Sequence, residues 1–322
     1  MRQHDILVEC SQLVKEYKGT RNKPVRAVHD LSFSIRQGET FGLVGESGCG
    51  KSTLGQLMVR LLEPTSGTVR YTNFQDGRGN RKQEKAMRKE NQIIFQDPYS
   101  SINPRKRIGW LVEEPLIIHG IGKDAQERKA MVCSILKEVG LDDSYLDRWP
   151  RELSGGQRQR VAIAIALILN PSFVVCDEVV SALDVSVQAQ VLNLLQELQE
   201  KFGLTYLFIS HNLQVVSYLS DRIGVMYLGG LVEMGDTEQI YHHCLHPYTK
   251  ALFSASVDAF DSVKEDLLLS GDIPSPSRSP SGCPFHTRCI SCMKRCIEEN
   301  PSMVEVSPGH FCACHLIQGM NT

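Results

Sequence analysis

Nine consecutive residues, Gly45-Glu46-Ser47-Gly48-Cys49-Gly50-Lys51-Ser52-Thr53, constrain this chain more than any other stretch. They match the Walker A pattern: a short apolar run, Thr40–Val44, precedes them, and a helically spaced run follows. The glycines let backbone N–H groups converge on phosphate oxygens, and the opening helix adds the positive end of its dipole. Lys51 is expected to reach the β- and γ-phosphates, and Ser52 to ligate Mg²⁺. Cys49 reads as a small filler inside the loop. Such a loop needs a strand before it and a helix after it, which sets a parallel α/β architecture.

Downstream residues supply the rest of a nucleotide cradle. The buried-strand run Phe173-Val174-Val175-Cys176 ends in Asp177-Glu178. Asp177 is expected in the Mg²⁺ shell, and Glu178 is expected to polarise the attacking water as general base. Between the two motifs, Ser154, Gly155 and Gly156 open a long apolar helix and make a second anion-binding helix N-terminus. Two phosphate-binding ends in one chain point to ATP held between two subunits, each giving one end.

The remaining pattern agrees with that architecture. Residues 6–14 and 31–35 read as strands, and residues 51–62 as a helix with Leu54, Leu57, Met58, Leu61 and Leu62 on one face. A strand follows at 68–71, while the polar stretch 73–90 reads as a solvated excursion. Residues 100–165 read as mostly helical. An amphipathic helix spans Val185–Phe202 and ends at Gly203; strands at Thr205–Ser210 and 223–228 flank a helical Leu213–Leu219. Gly229-Gly230 turns the chain into a strand at 231–234, and the Pro- and Ser-rich residues 272–282 read as a linker.

Composition narrows the class. A net charge of -2 over 322 residues gives no electrostatic footprint for nucleic acid. The N-terminus, MRQHDILVECSQLV, lacks a secretion pattern. The longest purely apolar run, residues 161–169, is far short of the roughly 20 residues that span a bilayer. Any membrane part must come from other chains. Of eleven cysteines, Cys283, Cys289, Cys292, Cys296, Cys312 and Cys314 crowd the C-terminal end, where a cytosolic setting favours metal over disulfides.

Leu153-Ser154-Gly155-Gly156-Gln157 resembles the signature of the ABC ATPase superfamily, and the resemblance covers about residues 5–250. It implies a P-loop NTPase core with a helical subdomain and an antiparallel β N-terminal part, joined head to tail with a second ATPase. Gln96, in Ile93-Ile94-Phe95-Gln96-Asp97-Pro98, resembles the Q-loop glutamine that contacts Mg²⁺ and water and links to the transmembrane partner. Ser181-Ala182-Leu183-Asp184 resembles the D-loop, which places Asp184 at the dimer interface. His211 resembles the switch histidine of the γ-phosphate, and Tyr17 the aromatic that stacks on adenine. Val179-Val180 stands where Pro-Thr is commoner, and Asn212 where Asp is usual. Neither change removes a group from the chemistry.

The C-terminal part resembles the extension of oligopeptide/dipeptide importer ATPases. The matching stretches are His246-Pro247-Tyr248-Thr249-Lys250, Gly271-Asp272-Ile273-Pro274-Ser275-Pro276 and Gly282-Cys283-Pro284-Phe285-His286-Thr287-Arg288-Cys289. Residues 176–190, CDEVVSALDVSVQAQ, resemble the F-type member of the two ATPase subunits in those importers. The resemblance implies a second ATPase subunit in a heterodimer, two transmembrane permeases, an extracytoplasmic substrate-binding protein, and a place on the cytoplasmic face of the membrane. Nickel importers share the extension and stand as the alternative. Cys283-x5-Cys289-x6-Cys296, with Cys314, resembles a site in which related subunits bind a [4Fe–4S] cluster; four thiolates also suit Zn²⁺.

The implied organisation is an ATP-binding core over 1–99 and 166–235, a helical subdomain over 100–165, and a small Cys-rich extension over 236–322. A soluble ABC ATPase acting on ribosomes or DNA ends would carry tandem cassettes or a long coiled coil, and neither is present. A subunit that binds ATP without hydrolysis is opposed by Glu178 and His211.

Overall fold

Thr40–Val44 holds no charge and is buried at every position, as a strand covered on both faces requires. It runs parallel to Arg222–Tyr227, from Phe41 opposite Arg222 to Val44 opposite Val225. Gly42 permits this packing, because a Cβ there would stand 2.3 Å from Val216 Cγ1 of the helix Leu213–Leu219. The computed structural model describes residues 5–19, 24–74, 81–256, 274 and 280–318. They divide into two units: Met1–Asp5, Arg36–Gly38 and Tyr71–Leu207 form one, and Ile6–Ile35, Glu39–Arg70 and Phe208–Thr322 form the other.

The unit with the phosphate loop also holds the N-terminal antiparallel sheet, in the order Pro24–Arg36, Ile6–Lys18, Ser66–Tyr71. In its other sheet, Arg222–Tyr227 turns at Gly229, φ 87°, into the antiparallel strand Gly230–Asp236. The sheet then continues into the C-terminal residues. His310–Cys312 pairs antiparallel with Gly230–Asp236 through Phe311 opposite Met234 and Cys312 opposite Glu233. Val304–Ser307 pairs antiparallel beyond it. The extension is therefore built into the same unit as the phosphate loop.

The helix after the loop covers Lys51–Met58 and stops four residues before the expected end at 62. Arg60 turns left-handed at φ 55°, and the Leu61 and Leu62 amides both donate to the Gln56 carbonyl, at 2.9 and 3.3 Å. The apolar stripe therefore ends at Met58, and Leu61 is exposed.

In the other unit, Asn91–Ile94 runs parallel to the fully buried Phe173–Asp177. Helices Ile108–His119, Ala125–Glu138 and Gly155–Leu167 pack on one another, and Leu111, Val112, Leu116, Ile135, Leu136 and Val161 are among their buried residues. Val185–Phe202 forms the expected helix, ended by Gly203 at φ 64°. The solvated stretch contains a helix, Arg81–Glu90, with Met87 its buried residue. Its Arg, Lys, Gln, Glu and Met are strong helix formers, so solvation and helicity coexist there. Residues 1–4, 75–80 and most of the 272–282 linker lie outside the described residues. Among the described residues, no helix is long and apolar enough to cross a membrane.

Candidate functional site

The phosphate loop closes on itself through its glycines and its lysine. Gly48 and Gly50 adopt φ 79° and 105°, conformations that L side chains rarely reach. A Cβ on Gly45 would stand 2.2 Å from the Met226 carbonyl oxygen, and one on Gly50 2.0 Å from that of Ala27. Lys51 is buried, and its ammonium donates to the carbonyls of Gly45 at 2.7 Å and Glu46 at 3.0 Å. Ser52 and Thr53 follow in the first turn of Lys51–Met58, and Ser47 stands in the loop before it. Cys49 is buried, and burial pushes its thiol up against the opposing pull of Lys51. That protonated state suits the filler role read from the sequence.

The same unit carries Tyr17 and His211. Tyr17 is partly exposed on Ile6–Lys18, with the Lys15 ammonium 5.4 Å from its ring centre. His211 is exposed between Thr205–Ser210 and Leu213–Leu219. The next residue explains one departure from the family pattern. Asn212 caps the helix, its Oδ1 accepting from the Gln214 and Val215 amides at 2.9 and 3.3 Å, as an aspartate would.

In the other unit, Gln96 and Glu178 meet directly. Gln96 Nε2 donates to Glu178 Oε2 at 2.9 Å. Asp177 and Glu178 are both buried. Glu178 holds a left-handed backbone at φ 48°, with its carbonyl accepting from the Ser181 amide at 3.1 Å and the Ser181 hydroxyl at 2.9 Å. A non-glycine residue held there by its neighbours is a common mark of a functional position. Val179 and Val180 are buried, so the second departure from the pattern serves packing.

The signature residues form a reciprocal helix cap. The Ser154 hydroxyl accepts from the Gln157 amide at 3.3 Å, and Gln157 Oε1 accepts from the Ser154 amide at 2.9 Å. Gln157 Nε2 also donates to the Tyr145 hydroxyl at 2.8 Å. Gly155 and Gly156 lie against the segment that starts the next helix. A Cβ on Gly156 would stand 2.6 Å from Val187 Cγ1, and one on Gly155 3.5 Å from Leu183 Cδ2. Asp184 is the N-cap residue of Val185–Phe202.

The C-terminal thiols differ in exposure. Cys283, Cys296, Cys312 and Cys314 are buried, Cys289 is half-buried and Cys292 exposed. Burial pushes the Cys283 thiol up to about 11, with smaller upward pushes from Cys296, Cys314 and Cys289. Yet among the described residues no group of three or more His, Cys, Asp or Glu side chains could hold a metal ion. The cluster or zinc ion expected on Cys283, Cys289, Cys296 and Cys314 therefore gains no support among the described residues. Cys312 and Cys314 instead pack with Ile317, Leu245, Val306 and Leu316 in a small apolar core.

Two connections of the extension are not legible in the sequence. Glu233, fully buried, accepts from the Leu245 amide at 2.6 Å, the His246 amide at 3.0 Å and His310 Nε2 at 2.9 Å. Glu46, in the phosphate loop, pairs with Arg288. In the sequence, Arg288 and His246 stand only within stretches that resemble the family extension, and nothing local marks what they touch.

His246 makes acid a probe of this region. Burial pulls its imidazole down to about 4 against the upward push of Glu233, and Nδ1 accepts from the Tyr248 amide at 3.0 Å. The unfolded chain takes up that proton near pH 6.5 while the folded chain does not, so stability falls as pH drops from about 6.5 to about 4. The expected contribution is about 3 kcal/mol. Urea midpoints measured across that range should fall less steeply in His246→Gln.

Comparison with known proteins agrees with this construction. Residues 28–181 match the family model described as ABC transporter, and residues 232–296 the model described as oligopeptide/dipeptide transporter, C-terminal region. The chain is 49% identical over 98% of its length, and 97% of the relative's, to a putative oligopeptide transport ATP-binding protein, YkfD, of Bacillus subtilis. It is 46% identical to the dipeptide transport ATP-binding protein DppF of Haemophilus influenzae, covering 98% of each chain. A solved dimeric ATP-binding cassette in a post-hydrolysis state, bound to ADP and Pi, superimposes with a TM-score of 0.65 at 28% identity, covering 72% of this chain and 99% of that one. The cassette cbiO1 of Clostridium perfringens, part of the ABC transporter complex cbiONQ, gives 0.65 at 26% identity over 74% of this chain and 92% of that one. The chain thus belongs to the ATP-hydrolysing, ATP-binding proteins of ABC transporters, in the branch that carries the oligopeptide/dipeptide transporter C-terminal region.

Proposed function

We propose that this chain energises the import of oligopeptides or dipeptides through a membrane complex. The observation that carries this reading is the C-terminal extension, matched over residues 232–296, beside 46–49% identity to peptide-transport relatives over 98% of the chain. Nickel import is the alternative, because the sequence resemblance gives it the same extension.

In this reading Lys51 leaves its loop carbonyls for the β- and γ-phosphates, and amides of the Gly45–Thr53 loop cradle phosphate oxygens. Tyr17 stacks on adenine. Ser52, Gln96 and Asp177 offer only oxygen donors, which suits Mg²⁺, and the ion neutralises phosphate charge when bound. Glu178 takes a proton from the attacking water, oriented by its bond to Gln96, and His211 senses the γ-phosphate. Ser154, Gly155, Gly156, Gln157 and Asp184 serve the nucleotide of the neighbouring ATPase. Closure on ATP and reopening after hydrolysis would be passed to the permeases by the residues after Gln96.

The partners proposed are a second ATPase subunit in a heterodimer, two transmembrane permeases and an extracytoplasmic binding protein, with this chain peripheral on the cytoplasmic face. The division into core 1–99 with 166–235, helical subdomain 100–165 and extension 236–322 belongs to the same proposal. Purification from native membranes tests it. Two permeases and a second, different ATPase should accompany the chain, and its recovery as a lone homodimer would overturn the heterodimer.

A further inference from the structure

We propose that Arg288 is a positioning residue of the ATP site, through which the C-terminal extension braces the phosphate loop. Its guanidinium meets the Glu46 carboxylate with both arms, Nη1 to Oε2 at 2.7 Å and Nη2 to Oε1 at 3.0 Å. The pair is sheltered, with side-chain exposures of 4% for Arg288 and 18% for Glu46. A two-armed guanidinium–carboxylate contact fixes orientation as well as distance.

Glu46 is the joint of the loop. Its amide donates to the Tyr248 hydroxyl at 3.0 Å, and its carbonyl accepts from the Lys51 ammonium at 3.0 Å and the Cys49 amide at 3.3 Å. The extension thus holds the backbone of Glu46 through Tyr248 and the side chain through Arg288. The same residue holds the lysine that must meet phosphate.

The mount of Arg288 is itself packed and hydrogen-bonded. Tyr227, Tyr248 and Phe285 form one aromatic group, with ring centres 4.7 to 5.3 Å apart. The Arg288 guanidinium lies 6.0 Å from the Tyr227 ring centre, and its amide donates to the Phe285 carbonyl at 3.0 Å. The preceding turn is closed by the His286 amide donating to the Cys283 carbonyl at 3.0 Å.

Charge gives the contact its consequence. An anionic side chain in a loop that must receive a triphosphate opposes the ligand, and sheltering from water strengthens that opposition. Arg288 cancels the Glu46 charge at its source. Without it the carboxylate has two effects: it repels nucleotide, and it is no longer held in place. Both act on ATP binding more than on the hydrolytic step, which is assigned to Glu178.

The test uses the assembled transporter, with MgATP as the probe and the ATP dependence of hydrolysis as the readout. Arg288→Met should raise KM for ATP by about tenfold, with a smaller fall in kcat. Combining it with Glu46→Gln removes the uncompensated charge and should return KM to within about threefold of wild type. A merely structural arginine would show no such rescue. If the Met variant does not assemble, Arg288→Lys replaces it; a lysine keeps charge but loses the fork, and KM should rise about threefold. An unchanged KM in the assembled Arg288 variant, or a double variant as impaired as Arg288→Met, would overturn the proposal. The inference rests on the loop binding ATP, so Lys51→Ala is run alongside. Lost affinity in Lys51→Ala with an unchanged Arg288 variant defeats the brace alone, and unchanged affinity in Lys51→Ala defeats both.

Discussion

Glu178→Gln in the assembled complex is expected to lower ATP turnover by roughly 10²- to 10⁴-fold while leaving ATP binding in place. The substitution preserves shape, and an amide can still bond to Gln96. What it removes is basicity at one end of the 2.9 Å contact between Gln96 Nε2 and Glu178 Oε2. The backbone at Glu178 gives further reason to expect a large effect. A left-handed φ of 48°, locked by two bonds from Ser181, aims the side chain by construction and leaves it little freedom to relax. Single-turnover hydrolysis together with nucleotide-binding measurements checks the split. Turnover within about threefold of wild type would remove Glu178 from the chemistry, because a general base is worth far more than that.

The second large effect concerns stability. Glu233→Ala is expected to cost about 3–5 kcal/mol, the cost of breaking a buried, multiply bonded charge. The substitution leaves the Leu245 amide, the His246 amide and His310 without their acceptor; His246 and His310 are buried and the Leu245 bond is partly so. Buried donors left unmade cost about 1–3 kcal/mol each, so the loss comes from the polar groups more than from lost side-chain volume. Glu233→Gln should lose less, since its carbonyl still accepts. Hydrogen exchange gives the local readout. The amides of Leu245 and His246 should lose protection in Glu233→Ala, and intact protection there would show that the anchor is not Glu233.

These two residues show how unevenly the molecule was written in its sequence. Walker A, the signature and the Asp177-Glu178 pair are legible because each is local: a few residue types at fixed spacing beside one strand or helix. Val185–Phe202 is legible for the same reason, since a long amphipathic period and a terminal Gly203 mark both its type and its end. The contact between Gln96 and Glu178 is hidden by 82 positions of sequence, although both residues were assigned roles.

The extension was the hardest part to read. Val304–Ser307 and His310–Cys312 are four and three residues long, too short for a period-two pattern to stand out, and the pairing of His310–Cys312 with Gly230–Asp236 joins strands far apart in the sequence. Arg288 reaches Glu46 across 242 positions. Cysteine spacing is silent on the small apolar core in which Cys312 and Cys314 pack. The helix after the phosphate loop is shorter than its sequence pattern, in which Leu61 and Leu62 continue the stripe. Backbone reversal at Arg60 takes Leu61 out to solvent.

The most direct measurement of the central claim is uptake of a labelled oligopeptide into proteoliposomes that hold the complete complex purified from native membranes. MgATP on the side where this chain sits should drive accumulation in wild type, and Glu178→Gln should abolish it while the complex stays assembled. Peptide accumulation that ignores ATP or survives Glu178→Gln would contradict the account, as would ATP-driven uptake of Ni²⁺ with no uptake of peptide.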